Sequence, residues 1–160
     1  MAKVIPIFKA GSIAEIDNYR PISILPTLSK ILERIVHKQL LKHLEFNDFL
    51  SEHQFGFRLN RSTELAVTLF TDLIRKEADG GKATGKATGA IFIDLSKAFD
   101  TISHSVLLEK LSRCGIQDNK LNWFTDYLFL RKQIVQFKGV LSKPNPIFTG
   151  VSQGSIFSGF

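Results

Sequence analysis

The sequence predicts a mixed α+β fold, because short apolar runs typical of strands are interspersed with longer segments of helical periodicity. Strand-like runs occur at 4–8, 90–93 and 131–139, and helical periodicity begins near 27, 63, 103 and 118. The 160 residues are enough for one domain with a sizeable core. The 44% apolar content is that of a globular chain.

Composition narrows the class of protein further. The net charge of +6 favours a polyanionic partner. The single cysteine, Cys114, excludes an internal disulfide and a cysteine zinc site. There is no signal peptide and no run of about 18 apolar residues, so we predict an intracellular protein with no membrane partner. Both ends lie in apolar segments, and we therefore expect a piece of a larger fold.

The N-terminal part is expected to form a strand, an extended segment and a long helix. Val4–Phe8 is strand-like, and Asn18–Ser23 is extended because the residue before a proline avoids the helical region. Pro26 and Thr27 open the helix. Its apolar positions have the spacing of one buried face: Leu28, Ile31, Leu32, Ile35, Val36, Leu40 and Leu44.

Four cations recur every four residues on the other side of this helix: Lys30, Arg34, Lys38 and Lys42. Such a row is repulsive unless phosphates or carboxylates lie alongside it, so it predicts a phosphate contact. A solvated face softened by Glu33 and Glu45 is the alternative.

The next segment, Gln54–Thr63, contains two arginines suited to bidentate phosphate contacts, Arg58 and Arg61. A helix is expected to begin at Ser62 or Thr63 and to end near residues 79–81. The tetrapeptide Lys-Ala-Thr-Gly then occurs twice in succession at 82–89, which predicts a flexible loop.

The most informative stretch is 89–100, where an apolar run leads directly into a carboxylate. Residues 90–93 show no polar alternation, which predicts a strand covered on both faces. Asp94 at its end would need a cationic partner, such as a lysine, an arginine or a divalent metal. Capping of the next helix by Asp94 is the alternative. Asp100, beyond a turn, is expected to cap the helix that follows.

Two helices and a strand are predicted after this stretch. The first helix begins at Ser103 and ends at Cys114, where Gly115 supplies a left-handed cap. The second begins at Asp118 or Asn119, and the helical spacing of its aromatic residues favours a core over a base-stacking surface. The strand covers residues 131–139.

A glycine-flanked loop, Gly150–Ser155, precedes the last apolar segment. The glycines would allow backbone amides to approach a ligand or a base pair closely. An ordinary turn between a strand and a helix is the alternative.

Four segments, in this order, resemble the reverse transcriptase domain of non-LTR retrotransposons of the LINE and jockey type: Asn18–Ser23, Gln54–Arg58 with Arg61–Thr63, Phe92–Asp100 and Gly150–Ser155. The resemblance runs from about residue 4 to residue 160. It implies the reverse transcriptase fold, with the fingers and an incomplete palm of a right-hand polymerase. The implied divisions are fingers at 1–87, a palm strand and helix at 88–112, a fingers-side helix and strand at 113–145, and the start of a second palm segment at 146–160.

The resemblance also implies roles for individual residues. Asp94 would be catalytic and would bind Mg²⁺ together with the backbone carbonyl of Leu95. The implied nucleotide-binding residues are Phe99, Gln153, Gly154, Arg58, Lys30 and Arg34, and the implied template or primer contacts are Arg61 and Lys38. Two magnesium ions, an RNA template, a DNA primer and deoxynucleotides would take part, with the nucleus as the implied location.

The chain also departs from the family pattern. It contains no Asp-Asp pair, and Ser152 stands where the family usually has proline. We therefore expect that these 160 residues alone do not polymerise. The alternatives are a non-catalytic nucleic-acid-binding remnant or a relic without function. An aspartate phosphohydrolase is disfavoured, because Ser96 occupies the place of its second aspartate.

Overall fold

The computed structural model of the chain describes residues 1–84, 87–95, 97–129 and 131–159. The chain divides into two compact units. The first unit comprises Met1–Asn47 and Lys97–Ser158, and the second comprises Asp48–Ser96 and Gly159–Phe160. The mixed α/β content predicted from the sequence is confirmed.

A mixed sheet forms the centre of the first unit. Its strands are β1 (Ala2–Phe8), β2 (Tyr19–Ile24), β3 (Lys132–Phe137), β4 (Val140–Leu141) and β5 (Asn145–Pro146). The order is β2-β1-β3-β4, and β5 also pairs with β3. β1 runs antiparallel to β2 and parallel to β3, so that Val4 lies between Ser23 and Val135. This register places β1, at the N-terminus, directly beside β3, which comes from the C-terminal part of the chain.

The helices in the described residues are α1 (Thr27–Phe46), α2 (Thr63–Thr84), α3 (His104–Arg113) and α4 (Asp118–Phe129). Their starting positions agree with the sequence prediction. Gly115 has φ +80°, which confirms the left-handed cap after α3. No helix in these ranges is both long enough and apolar enough to cross a membrane.

The buried face of α1 differs from the predicted one. Leu40 and Leu44 are buried as expected. Four other predicted core positions are instead 49–80% exposed: Leu28, Ile31, Leu32 and Ile35. Glu33, which the alternative interpretation placed on a solvated face, is only 2% exposed. The prediction was wrong here because spacing identifies a possible apolar face, whereas contacts with other elements decide which face is covered.

Two further predictions failed in the second unit. α2 continues past Gly80 and Gly81 into the first copy of the tetrapeptide, while residues 85 and 86 of the repeat lie outside the described residues. The predicted strand at 90–93 is absent, and Ile91, Phe92 and Ile93 are 81–90% exposed. A strand needs a neighbouring backbone for its hydrogen bonds, and the described part of this unit contains no other strand.

Candidate functional site

The loop Gly150–Ser155 is held by its backbone against two other parts of the first unit. The amide of Gly150 donates to the Ile102 carbonyl at 2.8 Å, and the amide of Val151 donates to the Phe99 carbonyl at 2.8 Å. On the other side, the amide of Ser23 donates to the carbonyl of Gln153 at 2.7 Å. The loop therefore joins β2 to the turn that precedes α3.

Both glycines of this loop are required by close approach to the chain's own backbone. Gly150 has φ +76°, and a Cβ there would lie 2.8 Å from the Phe99 carbonyl oxygen and 2.9 Å from Asp100 backbone atoms. Gly154 has φ +111°, and its Cβ would lie 2.7 Å from the Ser23 carbonyl oxygen. These contacts leave no room for a side chain.

The side chain of Gln153 is oriented by Asp100. Its Nε2 atom donates to both carboxylate oxygens of Asp100, at 3.2 and 3.3 Å. Because an ionised carboxylate only accepts hydrogen bonds, the amide nitrogen must face it. The expectation that Asp100 caps the next helix was wrong, since Ser103 occupies the N-cap of α3.

A cleft of about 450 Å³ opens beside Gln153. Its polar lining includes Asp100, Arg131, Gln133 and Gln153, and its apolar lining includes Val4 and Phe148. This volume lies within the range of small-molecule sites. The combination of a carboxylate, a guanidinium and two amides can form hydrogen bonds with a polar ligand such as a sugar or the edge of a base.

Arg131 brings a positive charge to this cleft, and no sequence pattern had predicted a role for it. Its guanidinium donates to the Ser152 hydroxyl and to the Gly150 carbonyl, the latter at 3.4 Å. Burial lowers the pKa of Arg131 below its ordinary value, but a guanidinium remains charged in proteins. Ser152 thus supplies a hydroxyl that accepts a hydrogen bond from Arg131.

His104 supports the first residue of the loop. It is 2% exposed, and its Nε2 atom lies 2.8 Å from the Gly150 carbonyl oxygen. Because a carbonyl can only accept, Nε2 carries the proton. In the sequence, nothing about the position of His104 at the start of α3 distinguished it from other helix residues.

Glu33 supports the far end of the same loop. Its carboxylate accepts from the Tyr127 hydroxyl at 2.7 Å, the Ser155 hydroxyl at 3.0 Å and the Ile156 amide at 2.9 Å. These three donors compensate the burial of a charged group. The ring of Tyr127 stacks on Trp123 with centroids 5.3 Å apart. On the same side of α4, Phe124 and Leu128 are buried, as the helical spacing predicted.

We expect the Tyr127→Phe variant to lose less stability at alkaline pH than the wild-type chain does. Burial is the largest cause that raises the pKa of the Tyr127 phenol above its ordinary value. Below about pH 10 the phenol is neutral in both the folded and the unfolded chain, so its full contribution to the free energy of unfolding is present. As the pH rises further, the phenol of the unfolded chain ionises first and this contribution is lost. Urea unfolding at about pH 8 and about pH 11 measures the difference. Equal pH dependence in both proteins would contradict the assignment.

The remaining predicted site residues are exposed or make local contacts. Lys30, Arg34 and Lys38 lie exposed on α1. In the second unit, Arg58 donates to the Ser51 carbonyl at 2.8 Å, and the Arg61 guanidinium lies 5.5 Å from the centre of the Phe55 ring.

Asp94 and Leu95 are also exposed, Leu95 by 72%. Asp94 and the carbonyl of Leu95 would form only part of a metal ligand set. Within the described ranges, no group of three or more His, Cys, Asp or Glu side chains is arranged to hold a metal ion. These residues therefore do not form a metal site by themselves.

A sequence profile described as reverse transcriptase (RNA-dependent DNA polymerase) matches residues 7–160. The chain is 33% identical to the probable RNA-directed DNA polymerase from transposon BS of Drosophila melanogaster, over 98% of this chain and 17% of that protein.

Two further relatives are also proteins of mobile elements. The RNA-directed DNA polymerase from mobile element jockey of the same species is 33% identical over 97% of this chain and 16% of that protein. The Pol polyprotein from retrotransposable element R2 of Popillia japonica is 29% identical over 95% of this chain and 20% of that protein. The chain spans about a sixth of the length of the first two relatives. By the profile match over nearly its whole length, the chain belongs to the reverse transcriptase (RNA-dependent DNA polymerase) family.

Proposed function

We propose that this chain is part of an RNA-directed DNA polymerase of a non-LTR retrotransposon, and that it supplies the fingers and the first part of the palm. The substrates of the intact protein would be an RNA template, a DNA primer and deoxynucleoside triphosphates. The observation that carries the proposal is the cleft beside Gln153, where the amide is oriented by Asp100 and the loop allows no side chain at Gly150 or Gly154. The polar groups that line this cleft can form hydrogen bonds with the sugar or the base of a nucleotide.

The proposed roles follow the family resemblance. Gln153 and Gly154 would contact the incoming nucleotide and template, and Phe99 would close the sugar pocket. Lys30 and Arg34 would contact the triphosphate. Arg58 would line the path of the nucleotide and template, and Lys38 and Arg61 would contact template or primer. Phosphoryl transfer depends mainly on positioning and charge neutralisation, and these residue types serve both needs.

The intact polymerase would use Mg²⁺, with Asp94 and the Leu95 carbonyl as ligands. The bound ions would neutralise charge on the reacting phosphates. Because the chain contains no Asp-Asp pair to supply further carboxylate ligands, we expect no primer extension by the isolated 160-residue chain. Extension that is abolished by Asp94→Asn would contradict this expectation.

Binding measurements test the proposed function directly. Fluorescence anisotropy with a recessed RNA–DNA primer–template, in the presence of Mg²⁺, would give the affinity with each nucleotide. The proposal expects the complementary deoxynucleotide to strengthen the complex more than a mismatched one does. Gln153→Ala should reduce this discrimination, because it removes the amide beside the cleft.

The exposed cations of α1 favour a second candidate, a nucleic-acid-binding module without catalysis. This candidate expects salt-sensitive binding of RNA that does not depend on the nucleotide added. The same anisotropy titrations separate the two functions. Absence of binding at low salt would exclude both.

Replacing the row Lys30, Arg34, Lys38 and Lys42 by glutamine should flatten the salt dependence of RNA binding. If all four side chains contact phosphates, the slope of log affinity against log salt should decrease by about three. A control with the same change in charge replaces four other exposed lysines: Lys110, Lys120, Lys138 and Lys143. Equal slopes for the two variants would show that only net charge matters.

A further inference from the structure

Glu33 makes a connection that the family resemblance did not assign. It lies on α1 and is 2% exposed. Its carboxylate accepts hydrogen bonds from Ser155 and from the Ile156 amide, at 3.0 and 2.9 Å. A buried carboxylate is retained only where donors replace its lost hydration. Here the donors belong to the segment directly after Gln153 and Gly154.

The geometry of the turn makes this anchor relevant to Gln153. The Ser155 amide donates to the Ser152 carbonyl at 3.0 Å, which closes a tight turn around Gln153 and Gly154. The beginning of the loop is fixed at Gly150 and Val151, and the Gln153 carbonyl is held by Ser23. Without Glu33, the end of this turn would lose two of its hydrogen bonds.

Tyr127 completes the anchor from α4. Its hydroxyl lies 2.7 Å from one oxygen of Glu33 and 3.0 Å from the Ser155 hydroxyl. The hydroxyl of Ser155 also accepts from the Phe157 amide at 3.1 Å. The carboxylate thus joins α1, α4 and the end of the loop through a connected set of hydrogen bonds, and such networks hold one geometry when all their members are satisfied.

We propose that Glu33 is a positioning residue for the candidate nucleotide site. Its carboxylate anchors Ser155 and Ile156, and this anchor holds the Gln153 side chain at the cleft. Glu33 itself does not line this cleft. The functional part of this inference rests on the proposed function, whereas the anchoring of the loop does not.

Amide hydrogen exchange of the purified chain, followed by NMR, tests the anchoring without any ligand. Glu33→Ala should accelerate exchange at Ile156 by at least about tenfold relative to amides within α3, because the loop end opens locally. Glu33→Gln retains one acceptor oxygen and should recover most of the protection. Tyr127→Phe removes one hydroxyl, keeps the ring and should give an intermediate result.

Leu111→Ala is the matched control for general destabilisation. Leu111 is buried on α3 and is outside the hydrogen-bond network of Glu33. Its removal should accelerate exchange throughout the unit without singling out Ile156. Acceleration at Ile156 in Glu33→Ala that only equals the change within α3 would overturn the anchoring. If Glu33→Ala does not fold, Tyr127→Phe decides the same comparison.

Nucleotide binding to the primer–template complex provides the functional readout. Glu33→Ala should reduce the preference for the complementary deoxynucleotide, and Leu111→Ala should not. An unchanged preference in Glu33→Ala, with wild-type discrimination intact, would overturn the positioning role. If the wild-type chain shows no discrimination, the proposed function fails, and the exchange data still determine whether Glu33 anchors the loop.

Discussion

Gly150→Ala is expected to lower the free energy of unfolding by about 3 kcal/mol, the sum of a backbone cost and a steric cost. The added Cβ would meet the Phe99 carbonyl oxygen at 2.8 Å and two Asp100 backbone atoms at 2.9 Å. These are backbone atoms, which cannot turn away as a flexible side chain can. The loop would have to shift, and its hydrogen bonds to Ile102 and Phe99 would weaken.

Gly139→Ala is a matched control for this prediction. Gly139 has φ +84°, close to the +76° of Gly150, but a Cβ there meets nothing within 4 Å. The control should therefore show only the backbone cost, about 1 kcal/mol. Urea unfolding of both variants measures the difference. Equal losses would mean that the close contact at Gly150 has no energetic weight.

Glu33→Ala is expected to cost about 3 kcal/mol of unfolding free energy, because it leaves buried donors without their acceptor. The donors affected are the Tyr127 and Ser155 hydroxyls and the Ile156 amide. Glu33→Gln should cost less, about 1 kcal/mol, since its carbonyl oxygen still accepts and the Tyr127 hydroxyl can accept from the new amide.

The fluorescence of Trp123, the single tryptophan, reports unfolding at this cluster because its ring stacks on Tyr127. Glu109→Ala is a suitable surface control. Glu109 pairs with Arg113 at 2.6 Å, but both side chains are more than half exposed. Such a pair contributes about 0.5 kcal/mol at most. If Glu33→Ala were as mild as Glu109→Ala, the buried network would contribute nothing net to stability.

Local patterns predicted most of the helices and strands. The starts of α1, α2, α3 and α4 and the left-handed Gly115 followed from capping residues, prolines and glycines. These signals act between residues close together in the sequence, so they can be recognised without knowing which other elements the helix packs against. The order of the four family segments likewise identified the reverse transcriptase family, which the profile match confirms.

Predictions that depended on distant contacts were less accurate. The apolar run at 90–93 has the composition of a covered strand, but its residues are exposed and unpaired with other strands in the described structure. Asp100 was expected to cap a helix and instead binds Gln153, which lies 53 positions later in the chain. Nothing in the local sequence around Asp100 states which distant side chain will meet it.

The sequence by itself determined the mixed α/β content, the helix starts and the family, because periodicity, capping and ordered motifs are properties of neighbouring residues. Only the tertiary structure decided that Glu33 is buried, that Arg131 and His104 support the Gln153 loop, and that Gly150 lies against the backbone of Phe99 and Asp100. The physical reason is that a charged or polar side chain becomes buried only where distant donors and acceptors replace its water. Folding brings those partners together, so the sequence neighbours of a buried polar side chain do not specify which groups it will contact.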